Sequence, residues 1–87
     1  MGQLTKRDLI NLKEGVYIVE EIEQKETLLE VEKVVKGVTS VLHARDIVTD
    51  KVQKIFIGKN FSDEGDRKCK TDKGKLTAKY KLYVYTE

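Results

Sequence analysis

The stretch GVYIVEEIEQKETLLEVEKVVKG, residues 15–37, decides the fold, because it reads either as a β-hairpin or as a strand followed by a helix. In its first half Val16, Ile18 and Ile22 point one way, and Glu20 breaks the pattern. Alternation of β-branched residues favours a strand. QKE (24–26) is a polar turn, and TLLEVEKVVK (27–36) is the returning strand. The helical alternative rests on Thr27 and Glu30, spaced as in a capping box, with Gly37 as a helix stop. Three valines among residues 31–35 oppose it, because β-branched side chains lose rotamer freedom in a helix.

An internal echo supports the hairpin. VEKVVKG (31–37) resembles VQKIFIG (52–58) at an offset of 21, and Gly-Val recurs at 15–16 and 37–38. Two hairpin units, 15–36 and 37–57, explain this; so does chance similarity between two strands that end in glycine.

Upstream, LTKRDLINL (4–12) predicts a short helix that stops by Gly15. Thr5 caps it, Asp8 completes a capping box, and Leu4 and Leu9 occupy the positions of a hydrophobic staple. LKEGVYIV (12–19) is a common kind of opening for a small β-barrel and too short to define a family. Downstream, GVTSVL (37–42) is extended. Ala44, Ile47, Val48, Val52, Ile55 and Phe56 then fit a helical stripe interrupted by Lys51, whereas IFI before Gly58 is strongly β-prone. Residues 58–75 read as a long polar loop. From Gly74 the alternation is the cleanest in the chain. Leu76, Ala78, Tyr80, Leu82 and Val84 form one face; Lys75, Thr77, Lys79, Lys81, Tyr83 and Tyr85 form the other.

The expected fold is a single, mainly β domain over residues 1–87. It is a small five-stranded antiparallel barrel, SH3-like or OB-like, with a short N-terminal helix. The alternative is α+β with a helix within residues 43–57. A chain of 87 residues buries only about 60% of its unfolded surface, which leaves little room for an enclosed catalytic cavity. Its one cysteine excludes an internal disulfide, the N-terminus shows no signal peptide, and no apolar run approaches a membrane span. These features lead us to expect a cytoplasmic protein that does not meet the membrane. Residues 1–35 carry five basic and eight acidic groups, and residues 51–87 carry ten basic and five acidic. Such asymmetry steers charged partners to one end.

Two binding surfaces follow. The first suits nucleic acid, which needs cations for phosphates and flat rings for bases. It comprises Lys75, Lys79, Lys81, Tyr83 and Tyr85 on the last strand, with Arg67, Lys68, Lys70 and Lys73 from the basic loop. It lacks the RNP aromatics, the GXXG loop and zinc-knuckle cysteines. A solvated strand whose lysines discourage aggregation explains it equally simply. The second surface is acidic: Glu20, Glu21, Glu23, Glu26, Glu30 and Glu32 on the first hairpin. As the alternative function it suits a basic protein groove, as of a host nucleic-acid-processing protein, and so an inhibitor or accessory, phage- or mobile-element-encoded; a solvated hairpin face is the simpler account of it. An unpaired barrel edge also allows a homodimer. No enzyme, metal or cofactor is expected. His43 and Cys69 are the sole residues of their kinds, Cys69 reads as a loop thiol between Lys68 and Lys70, and no nucleophile–base pair or phosphate loop is present.

Overall fold

A computed structural model describes residues 3–58, 61, 69–71, 74–76 and 80–86, and in it residues 15–37 contain the hairpin. Strand β1 (Tyr17–Ile22) pairs antiparallel with β2 (Lys25–Val35). Ile22 lies opposite Lys25, so the turn is Glu23 and Gln24, a residue earlier than expected. Both have positive φ, 49° and 72°, which matches the right-handed twist of the strands without help from glycine.

Strand β2 explains the ambiguity of its own sequence. A register shift between Val31 and Lys33 makes Glu32 a bulge residue. Leu29 and Val31 are buried two residues apart, but the next inward position is Val34, three further on. The bulge thereby converts a spacing of two into three, which imitates a helix.

The second hairpin joins β3 (Ser40–Asp46) to β4 (Val52–Ile57). The expected alternative of a helix within 43–57 is therefore corrected. Its apparent stripe is divided between two strands and a turn, where Ile47 and Val48 are 39% and 86% exposed. The turn is built by Asp46, whose carboxylate accepts hydrogen bonds from the amides of Val48 (2.9 Å) and Thr49 (3.2 Å). The echo acquires a structural meaning here. Lys33 and Lys54 both lie opposite His43, Val34 and Ile55 opposite Leu42, and Val35 and Phe56 opposite Val41. Equivalent residues of the repeat thus flank β3 in one register.

The region read as a polar loop, 58–75, contains two short strands, β5 (Cys69–Thr71) and β6 (Gly74–Leu76). Cys69 therefore lies in a strand, because β5 adds to β4 through Ile55 and Phe56. The last strand, β7 (Tyr80–Val84), pairs with β1. The alternating stretch from Gly74 supplies both ends of a sheet ordered β6-β5-β4-β3-β2-β1-β7, and Thr77, Ala78 and Lys79 between them lie outside the described residues. Among the described residues five of the seven strands have five or more residues, the number of strands expected.

The sheet is curled. Leu76 and Tyr80 are four residues apart, so at most about 15 Å of chain separates their Cα atoms. A flat sheet of seven strands would hold its edges about 29 Å apart. Among the described residues no ladder joins β6 to β7, so the pairings form one curled sheet without closing it. Its concave side holds the core: Ile18, Leu29, Val31, Leu42, Ala44, Ile55, Ile57 and Leu82 are each at most 1% exposed. Burying each of the larger side chains stabilises the fold by about 1.5–3 kcal/mol. Helix α1 (Lys6–Ile10) packs against β3 and β4 and adds Leu9. Its capping box is formed as expected: the Asp8 amide donates to Thr5 Oγ1 and the Thr5 amide to Asp8 Oδ2. Just before it, the Leu4 amide donates to the Leu82 carbonyl at 2.7 Å. Among the described residues no helix is long and apolar enough to cross a membrane.

Candidate functional site

Each outward side chain of β1 lies between partners on β7 and β2, so register sets the composition of that surface. Val19 lies between Tyr83 and Leu28, and Glu21 between Lys81 and Glu26. Tyr17 faces Glu30 on β2, and its carbonyl accepts from the Tyr85 amide at 3.0 Å. The result is a grid on the convex side of β7, β1 and β2. Tyr85 and Tyr17 share the first row with Glu30. Tyr83, Val19 and Leu28 form the second. Lys81, Glu21 and Glu26 form the third. The inward neighbours Ile18, Leu29 and Leu82 are fully buried, which fixes these side chains outward.

Tyr17 and Tyr85 are 43% and 42% exposed. Ile47 extends the apolar surface, since its amide donates to the Leu28 carbonyl. At the lower end Lys81 Nζ lies 3.8 Å from Glu21 Oε2, a loose ion pair. At the upper end Arg45 reaches from β3 to Glu30, Glu32 and Asp50, at 2.5, 3.2 and 2.8 Å. The hydrogen bonds to Glu30 and Asp50 hold its guanidinium pKa above the ordinary arginine value. They also bind the β2 bulge to the β3–β4 turn.

The structure divides the expected residues differently from the sequence. Lys81, Tyr83 and Tyr85 share the outward face of β7. Lys70 and Lys75 are opposite one another in the β5–β6 pair. Arg67, Lys68, Lys73 and Lys79 lie outside the described residues. Of the acidic set, Glu21, Glu26 and Glu30 belong to the grid, Glu23 is exposed in the turn, and Glu32 is held by Arg45. Glu20 is the correction: it points inward, is 5% exposed, and accepts from Gln53 Nε2 at 2.5 Å. In a flat sheet β1 and β4 would lie about 14 Å apart, so this bond spans the concave side and records the curl. Beside it a cleft of about 460 Å³ opens between Glu20, Ile22, Glu23, Lys25 and Thr27.

Sequence reading missed Tyr17 and Gln53, whose partners come from strands distant in the chain. Among the described residues no three His, Cys, Asp or Glu side chains gather to hold a metal ion. The chain matches no family model, no curated protein and no solved structure.

Proposed function

We propose that this protein is a non-enzymatic binding module, in effect a small SH3-like or OB-like barrel, that docks a basic protein surface on the convex face of β7, β1 and β2. One observation carries the reading: three tyrosines and three glutamates of the first hairpin and last strand share a single face in one register. Tyrosine supplies large, rigid contact area with a polar tip and is a preferred interface anchor. Glu21 and Glu26, with Glu23 exposed in the turn beside them, supply a rim that attracts lysine and arginine and orients their approach. The same carboxylates repel phosphates, which favours a basic protein groove over nucleic acid on this face. A groove that normally holds nucleic acid has the required charge, so the role is that of an inhibitor or accessory of a nucleic-acid-processing protein.

The test is purification from the native host, followed by the variants Tyr17→Ala with Tyr83→Ala, and Glu21→Lys with Glu26→Lys. A basic protein that co-purifies with the parent chain and is lost at least tenfold from both variants supports the reading. A partner retained by both variants, or nucleic acid in place of a protein, overturns it.

A further inference from the structure

We infer that the turn between β3 and β4 is a preordered apolar prong, with Ile47 and Val48 at its tip, that seats in an apolar socket on the basic partner protein. The inference rests on the docking face proposed above and states what the partner carries beside its lysines and arginines.

Turns that face water are built mostly from glycine, proline, asparagine, aspartate and serine. Here Ile47 and Val48 follow one another in the turn, Val52 opens β4 just after it, and all three are exposed. Neither Ile47 nor Val48 belongs to the core cluster. The prong is continuous with the docking face. The Ile47 amide donates to the Leu28 carbonyl, and Leu28 shares a row with Val19 and Tyr83.

The amides of the turn are satisfied from within. Those of Asp46 and Asp50 donate to the carbonyls of Lys51 and Asp46, both at 2.8 Å, and that of Ile47 to Leu28 at 3.4 Å. Those of Val48 and Thr49 donate to the Asp46 carboxylate, and that of Lys51 to Thr49 Oγ1 at 3.4 Å. Each amide from Asp46 to Lys51 thus has an acceptor in this chain. Arg45 braces the turn from β3, with Nη1 2.8 Å from Asp50 Oδ1. A partner can therefore strip water from these amides without leaving a donor unpaired, which is the usual cost of burying a turn. The tip is also ordered in advance, so little conformational entropy is lost on contact. Exposed apolar side chains on such a support gain the full benefit of leaving water.

Charge selects the occupant of the contact. On and beside the turn stand the carboxylates Asp46, Asp50, Glu30 and Glu32, against the cations Arg45 and Lys51. This surplus of negative charge repels anionic lipid headgroups and nucleic-acid phosphates and draws lysine and arginine. The occupant is a protein whose basic surface contains an apolar pocket of side-chain size. Val38 supplies the contrast. It is exposed too, but it stands at the opposite end of β3 with Lys36 nearby in sequence.

Two measurements test the prong and separate its failure from failure of the docking reading. The first places a photoreactive diazirine amino acid at Val48, or at Val38 as the control, and irradiates the native host. Crosslinks from position 48 alone, to a protein segment that joins apolar residues to lysine or arginine, support the inference. Crosslinks to a second copy of this chain, to lipid or to nucleic acid, equal crosslinking from both positions, or none from position 48 overturn it. The second measures affinity for the purified co-purifying partner by calorimetry. Val48→Thr keeps the branched shape at an exposed site, so the thermal midpoint should not move. Affinity should fall about tenfold, because the socket then holds a hydroxyl without a partner. Val38→Thr should change neither. A partner lost from Tyr17→Ala with Tyr83→Ala but bound equally by Val48→Thr overturns the prong and leaves the docking reading standing. The absence of any protein partner overturns both.

Discussion

The two hairpins that meet along β2 and β3 reverse direction in opposite ways. The first turns in two residues, Glu23 and Gln24, both in the left-handed region without the glycine or asparagine such turns prefer. The second turns over five residues and satisfies its own backbone through the Asp46 carboxylate, with Asp50 alone at positive φ. The first is tolerable because β1 is paired on both sides, with β2 and with β7, so its register does not depend on the turn. Both hairpins have sequences that also fit a helix, and in the second the Asp46 carboxylate shapes the turn locally. All four strands have neighbours on both sides, so the two turns differ in their local chemistry and not in the support from pairing.

The hairpins are also joined across the interior, and the largest expected effect comes from cutting that tie. Gln53→Leu removes a donor from the buried Glu20 carboxylate and should lower stability by about 2 kcal/mol in urea denaturation. Adding Glu20→Leu should recover most of the loss, because an apolar pair of similar shape leaves no charge stranded. A double variant no more stable than the single one would show that the bond itself holds the curl. Next come the turns. Glu23→Asn with Gln24→Gly should raise stability by about 1 kcal/mol, and Asp46→Ala should lower it by about as much. Equal midpoints for both would erase the contrast between the hairpins. The smallest effect is in pH. The folded His43 resists a proton that the unfolded chain accepts, so the unfolded state binds more protons as the pH falls below 6.5. Stability therefore declines on acidification through that range, and His43→Asn should flatten this part of the curve.

Much of the fold is legible locally. The Thr5–Asp8 capping box, the alternation of β1 and the β-prone IFI of β4 all form as their residues demand. What misleads does so for physical reasons. A bulge at Glu32 shifts the inward period of β2, and three residues between Leu76 and Tyr80 let one alternating stretch supply strands at both ends of the sheet order. The candidate faces are harder to read, because each is assembled across strands. Tyr17 gains tyrosine neighbours only when β1 pairs with β7, a long-range match that no local spacing announces. The 21-residue echo places Lys33 and Lys54 at equivalent positions. Their shared neighbour His43 on β3 follows only from the strand pairing.

The pairing of β7 with β1 has a consequence for how the chain assembles. Strands β1 to β4 each find their neighbour in the segment just made, so that meander closes only short loops. Strand β7 must return across roughly sixty intervening residues, at a higher entropic cost of closure. Until it arrives, Ile18 lacks its cross-strand neighbour Val84 and the far edge of β1 is open to any passing strand. The final five-residue strand is therefore the latch of the molecule, and aggregation competes with folding during the interval before it engages.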